Sequence, residues 1–289
     1  MELSLLTLNL HTYHQHSRHC PFDTMHHHER EVHIIAEAIA QLRIDVICFQ
    51  EVGEYMHDPI THPYGESPSN MAYRITQKLR SWGNYYHIHQ DWSHIGFDRW
   101  REGTAILSRY PMQHQHSAYV SNDQSKDNYM SRNVTLTGID VPWYGLVHIS
   151  NVHLSWSNHG FYEEYNRLKN LIYSRMNFGF RADLLVGDFN APAGEDAYNY
   201  IVGNQEYVDQ FFQMHPQRFY EPSFQGHIDG WYNSPPKRID YIFKRHDSQI
   251  KITSLEVIFN HRFFPVVSDH FGYLARFYLF STSSLISYL

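Results

Sequence analysis

The sequence predicts an α/β fold in which two mainly antiparallel sheets pack face to face with helices outside. Three observations lead there. The chain opens on a strand, helix, strand unit; later strands are mixed irregularly with helices, not in strict βαβ alternation; and 42% hydrophobic residues in a chain of 289 are enough for a large core. No linker, repeat or low-complexity tract divides the sequence, so a single domain over 1–289 is expected.

The elements follow in order. Leu3 to Leu8 is an apolar strand, and Glu29 to Leu42 places Val32, Ile35, Ala36, Ile39 and Leu42 at helical spacing before a second strand, Asp45 to Phe49. Ser69 and Asn70 can cap a helix with Met71, Ile75 and Leu79 on its apolar face and Gly83 beyond its end. Strands are expected near Tyr85 to His89 and at Thr104 to Leu107, and Val134 to Ile139 and Leu146 to His153 form a hairpin around Val141 to Gly145. Phe161 to Met176 is helical and leads to a strand at Leu184 to Val186. The last strands are Ile239 to Phe243, Leu255 to Phe259 and Gly272 to Phe280.

Composition narrows the function classes. A net charge of −7 disfavours, without excluding, a nucleic-acid partner, because phosphate-backbone affinity comes mainly from Lys and Arg. The 23 histidines reverse that sign only if most are protonated at mildly acidic pH. Two cysteines are too few for a disulfide framework, and Cys48, inside a strand, reads as a small core residue of a protein in a reducing compartment. With no membrane-length apolar run and no basic leader, a soluble, cytoplasmic protein without stable membrane association is expected. Nothing in the sequence fixes the oligomeric state. His26-His27-His28 reads as a solvated loop or helix start before it reads as an accessory metal site.

The chemistry sits at strand ends. In Val186-Gly187-Asp188-Phe189-Asn190 an acid and an amide stand two residues apart after an apolar strand, and alternation would send both to one face. Burying them is costly unless a cation, phosphate or water occupies them; the competing reading is a plain Asx turn. Asn9, Glu51, Glu102, Arg132, His153, Asp240, Asp269 and His270 likewise end strands or stand beside them. Hard oxygen ligands such as Glu51, Asn9 and Asp269 suit Mg²⁺ or Mn²⁺, and no Cys cluster or HExxH pair points to zinc.

Seven segments, Thr7-Leu8-Asn9-Leu10-His11, Ile47 to Val52, Glu102 to Ser108, Asn151-Val152-His153-Leu154, Gly187-Asp188-Phe189-Asn190, Arg238 to Ile242 and Ser268-Asp269-His270, together resemble the successive signatures of the endonuclease/exonuclease/phosphatase superfamily. Each is weak alone; their order over nearly the whole chain is specific. The resemblance implies a four-layered α/β sandwich with a divalent cation, Mg²⁺ or Mn²⁺, at one end of the sheets. It implies that Glu51 is the principal metal ligand with Asn9 and Asp269, that His270 is oriented by Asp240, and that Asp188 orients or deprotonates the attacking water. Asn190 is implied as a donor to phosphate, His153 as a second histidine held by Glu102, and Arg132 as a ligand of a non-bridging oxygen. The implied reaction is in-line attack of water on phosphorus.

The loops bear on substrate. His227 to Trp231, His153 to Trp156 and Val257 to Asn260 are similar to a bacterial branch that includes maltose 6'-phosphate phosphatase. Trp156 or Trp231 could stack on a pyranose while Asp229 accepts from hydroxyls, although ordinary packing explains tryptophans equally well. A phosphomonoesterase acting on a small phosphorylated substrate such as a sugar phosphate is therefore expected. A deoxyribonuclease-I-like endonuclease, a sphingomyelinase-like phosphodiesterase and a non-catalytic binding module are the alternatives. The His-rich segment 11–28 lies where it could overhang the pocket.

Overall fold

The computed structural model describes residues 1–12, 28–59, 67–96, 98–225 and 235–280. Two six-stranded sheets stack face to face, in the orders β11-β12-β1-β2-β4-β3 and β5-β6-β7-β8-β10-β9. The first sheet comprises β1 (Glu2–Asn9), β2 (Val46–Tyr55), β3 (His87–Gly96), β4 (Trp100–Ser108), β11 (Ile250–Ile258) and β12 (Gly272–Leu279). The second comprises β5 (Met112–Tyr119), β6 (Asn133–Val141), β7 (Gly145–His153), β8 (Ala182–Asp188), β9 (Tyr207–Asp209) and β10 (Asp240–Arg245). Helices α1 (Glu29–Leu42), α2 (Met71–Ser81), α3 (Phe161–Arg175), α4 (Asp196–Val202) and α5 (Gln210–Met214) connect them.

The two sheets are built alike. Each has one parallel pair at its centre, β1 with β2 and β7 with β8, flanked on both sides by antiparallel strands. A helix, α1 or α3, makes each parallel crossover. Strand alternation assigns the faces. Leu3, Leu5, Cys48, Ile149, Leu184 and Val186 pack between the sheets, whereas Leu6, Leu8, Ile47 and Phe49 pack with Val32, Ile35 and Ile39 of α1. On the far side Val152, Leu185, Tyr241 and Phe243 pack with Phe161, Leu168 and Ile172 of α3. Both faces of the central strands are therefore buried, which gives the four layers.

Along the four central strands the inner layer turns polar toward one end, at Asn9, Gln50, Asn151 and Asp188. Gln50 donates to Asn151 Oδ1 of the opposite sheet at 2.7 Å, and Asn151 returns bonds to the carbonyls of Phe49 and Ala105 at 2.9 and 3.0 Å. At the neighbouring β10 a buried arginine fixes the strand start. Arg238 is paired with Asp209 at 2.8 Å and surrounded by the rings of Tyr198, Phe211, Phe219 and Tyr241 at 4.7 to 5.6 Å.

Several sequence-level boundaries shift. The strand expected near Tyr85 runs over His87–Gly96, and the helix expected to reach Met176 ends at Arg175 with a 3₁₀ turn after it. β5, β9, α4 and α5 were not foreseen. β5 is an edge strand reading Met-Gln-His-Gln-His-Ser-Ala-Tyr and largely exposed, so it carries no apolar alternation. Among the described residues no helix is long and apolar enough to cross a membrane. Asp229, Trp231 and residues 13–27, including His26 and His27, lie outside the described residues, so the expectations placed on them have no structural counterpart here.

Candidate active site

The parallel central strands β1, β2, β7 and β8 all point their carboxyl ends to the same edge of the sandwich. The antiparallel strands β4, β6, β10 and β12 begin there. That topology gathers Asn9, Glu51, His153 and Asp188 from strand ends with Glu102, Arg132, Asp240, Asp269 and His270 from strand starts. A cavity of about 510 Å³ opens among them.

Glu51 reaches it by a β-bulge. Simple alternation after Cys48 and Gln50 would turn Glu51 to the helix side, but the β2–β4 register shifts between Phe49 and Val52 and Glu51 takes φ 48°. Its carboxylate then accepts from Asn9 Nδ2 at 2.9 Å. Asp188 is placed by Gly187, whose φ is 135° and whose Cα is so close to β7 that a Cβ would lie 2.1 Å from Val152 O. Asp188 Oδ2 accepts from Asn9 at 3.0 Å, and Oδ1 from Asn190 N at 2.9 Å.

That last bond corrects one expectation. Strand β8 ends at Asp188, and Asn190 has φ 49°, so alternation does not carry its side chain. An Asx turn does, and it leaves Asn190 Nδ2 on Leu154 O at 2.8 Å while the residue still lines the cavity. Asn9 also differs from a simple ligand. Its oxygen accepts from His11 N at 3.0 Å and its nitrogen holds the two carboxylates, so offering oxygen to a cation would require the amide to turn over.

The histidines pair with acids. His270 Nδ1 lies 2.8 Å from Asp240 Oδ2, which also accepts from Ser223 Oγ at 2.6 Å. His153 Nδ1 lies 3.6 Å from Glu102 Oε1 and its Nε2 3.8 Å from Asp188 Oδ2, while His270 Nε2 is 3.9 Å from the same oxygen. Burial opposes charge on His270, but the Asp240 carboxylate outweighs it and holds the ring well above the usual histidine range. Burial, reinforced by the negative charge of Asp240, pushes Asp188 up to about 6. Burial also disfavours charge on Glu102, yet His94 and His153 hold its carboxyl well below the usual range.

His94 and Glu164 were missed, and His11 was named only within a motif and the His-rich segment 11–28, without a role. His11 stands 3.3 Å from Glu51 and 3.7 Å from Asp269. Burial resists its protonation, but the bond to Glu51 and the Asp269 charge raise it to about 9, and with the same pairing Glu51 falls to about 2. His94 Nε2 lies 3.5 Å from Glu102 on the side away from His153. Glu164 anchors Ser155 beneath Arg132. The two-residue spacing of Asn9 and His11 was the one available signal.

The donor set fits a cation. Glu51, His153 and Asp188 offer ligand atoms within 4.8 Å of one another, and Asp269 Oδ2 is buried with no hydrogen-bond partner among the described residues. Around the mouth stand Tyr129 and Trp156. With Arg132 they also line a neighbouring cavity of about 650 Å³, where Lys237 sits 5.4 Å over the Trp156 ring.

A face-to-face α/β sandwich with acids, amides and imidazoles gathered at one edge defines a phosphoester hydrolase. The sequence matches the endonuclease/exonuclease/phosphatase family over residues 28–270, and the chain belongs to that family of hydrolases, most of them metal-dependent. Among solved structures it is similar to a family member from Leptotrichia buccalis, with TM-score 0.78 and 24% identity over 96% of this chain and 100% of that one. A mannosyl-6-phosphatase of Bacteroides thetaiotaomicron aligns with TM-score 0.65 and 14% identity, over 96% and 100%. D. rerio TDP2 complexed with single-strand DNA product aligns with TM-score 0.62 and 15% identity, over 96% and 99%. No curated protein sequence matches the chain.

Proposed function

We propose that this protein is a divalent-metal-dependent phosphomonoesterase acting on a small phosphorylated metabolite such as a sugar phosphate. The observation that carries this is the catalytic cavity. It has room for a phosphosugar, the rings of Tyr129 and Trp156, acids Asp98 and Asp127 among its lining, and Arg132 as the one Lys or Arg side chain among the described lining residues. With so few Lys or Arg side chains to neutralise successive phosphates, the cavity favours a single phosphate on a neutral polyol over a long polyanionic strand. The mannosyl-6-phosphatase neighbour supports the same reading.

Glu51 and Asp269 would hold Mg²⁺ or Mn²⁺, with Asn9 completing the set after its amide turns. The ion supplies charge neutralisation at the phosphoryl oxygens. Asp188 Oδ2 orients the attacking water and takes its proton. His153 and His270 flank that oxygen; Asp240 aims His270 and keeps it protonated, and Glu102 holds His153. Asn190 offers its second amide N–H to the phosphate and Arg132 its guanidinium. Trp156 is the platform for the alcohol portion; Asp229 and Trp231 are assigned to the same substrate on the sequence resemblance alone.

One observation favours an endonuclease instead. The adjoining cavity combines Tyr129 and Trp156 rings with Arg132 and Lys237, a stacking and cationic pairing that suits a nucleotide strand. Phosphate release from sugar phosphates, nucleotides and inositol phosphates, run beside plasmid nicking with Mg²⁺ or Mn²⁺, with EDTA and with Asp188→Asn, separates the two. Metal-dependent release from a sugar phosphate, lost in the variant, sustains the proposal. Nicking that weakens steeply with salt, without phosphate release, replaces it with the nuclease.

A further inference from the structure

Arg132 is held by a hydrogen-bond chain that begins at a carboxylate outside both cavities. Glu164, in the first turn of α3, is 2% exposed. Its Oε2 accepts from Ser155 N and its Oε1 from Ser155 Oγ, both at 2.8 Å. The Ser155 hydroxyl gives its single hydrogen to Glu164, so its lone pairs are free to accept, and Arg132 Nε donates to them at 3.3 Å. That bond engages the stem side of the guanidinium. Among the described residues neither terminal nitrogen of Arg132 has a hydrogen-bond partner, and the side chain lines the catalytic cavity.

The bond from Ser155 N ties the loop before α3 to the helix. The second bond, to the hydroxyl, adds something different: it sets the direction in which Ser155 Oγ accepts, and with it the direction of the Arg132 fork. The same segment begins at His153, and its middle residue is tied to the rest of the site. Leu154 N donates to Asp188 O at 3.0 Å and Leu154 O accepts from Asn190 Nδ2 at 2.8 Å. Glu164 is thus the outermost support of a strip, His153 to Trp156, whose two ends line the catalytic cavity.

We infer that Glu164 and Ser155 are positioning residues, in which Glu164 acts through Ser155 Oγ to aim the Arg132 fork at an oxygen of the bound phosphate. The pair sets affinity for the phosphate group, not the rate of the chemical step. This rests on the reading of the cavity as a phosphate site, and it is independent of which alcohol the phosphate is attached to.

The test is calorimetric binding of inorganic phosphate in Mg²⁺ to the wild-type protein and to Ser155→Ala, Glu164→Gln, Arg132→Ala and Ser155→Ala/Arg132→Ala. Loss of one hydrogen bond to a charged group predicts about 5- to 10-fold weaker binding for Ser155→Ala, with a melting temperature within a few degrees of wild type. Glu164→Gln shifts binding in the same direction, and the double variant matches Arg132→Ala alone. The inference is overturned if Ser155→Ala weakens phosphate equally with and without Arg132, if it binds as wild type while Arg132→Ala does not, or if wild type fails to bind phosphate. Should Glu164→Gln fail to fold, the Ser155 and Arg132 cycle decides alone. A cycle that behaves as expected in a protein that releases phosphate from no sugar phosphate sinks the substrate proposal and leaves this one standing.

Discussion

Asn9 and Asp188 meet across the two sheets: the carboxamide nitrogen at the end of β1 donates to Oδ2 at the end of β8 over 3.0 Å. The same nitrogen holds Glu51. With its nitrogen so directed, one amide sets the distance between a proposed metal ligand and the proposed base, and turning it over to offer oxygen to an ion would release both. Asn9→Ala should lower phosphate release by about 10- to 100-fold while raising the Mg²⁺ concentration needed for half-maximal rate, since second contacts of metal ligands typically matter on that scale. A metal titration of activity checks it; an unchanged Mg²⁺ requirement would separate Asn9 from the ion.

Asp188→Asn should cost about 10²–10⁴-fold in turnover, the range for loss of a positioned general base. Steady-state kinetics in Mg²⁺ read it directly.

The same carboxyl predicts a pH dependence with a defined sign. Its folded value of about 6 lies above the ordinary 3.8, so the folded chain binds the proton more tightly than the unfolded one. Stability therefore falls as pH rises through the window from about 4 to about 6 and carries the full cost above it. In EDTA at pH 7, Asp188→Asn should melt a few degrees above wild type. Activity has the opposite requirement, because the base must be ionised, so rate should fall as pH drops through about 6, and more Mg²⁺ should move that limb lower. A rate flat from pH 5 to 8 would disconnect Asp188 from proton transfer.

Gly187→Ala would force a Cβ within 2.1 Å of Val152 O at a φ of 135°. The expected loss is about 2–3 kcal/mol or more, with activity falling alongside because the β7–β8 register sets the approach of His153 to Asp188. Chemical denaturation measures the first and the release assay the second.

Arg238→Ala would leave Asp209 buried without its cation. Such a break costs about 3–5 kcal/mol, and Asp240, two residues on, would lose its fixed strand start. Urea unfolding is the measurement, and a loss below 1 kcal/mol would show that the aromatic cage, not the charge pair, supports β10.

The sequence was most legible where burial imposes a period. β1, β2, β7 and β8 carry near-continuous apolar residues because both their faces are covered, α1 carries a helical apolar stripe because one of its faces is, and the polar ends of the strands pointed at the site. β5 was illegible because an exposed edge strand needs no apolar face, and β9 and α5 are too short to show a period. Glu51 was found as an acid just beyond an apolar strand and then through the family motif, not through alternation, which its bulge violates. Asn190 was assigned to the right neighbourhood for the wrong reason, since a turn and not a strand delivers it. Glu164 and His94 sit inside a helix and a strand with no local mark of their partners. Only the tertiary approach of α3 to the β7 end, and of β3 to Glu102, makes them visible.

The pairing of β1 with β12 joins Glu2 to Tyr278 and Thr7 to Tyr273. On the ribosome, the β12-facing edge of β1 must therefore wait for nearly all of the described chain to be synthesised before its permanent neighbour emerges. Until then it is an open template for other nascent strands, the kind of exposure that chaperones shield. Asp269 and His270 arrive on the segment that leads into β12. Sealing the sheet and completing the polar cluster are thus one late event, so truncated translation products would be both inert and adhesive.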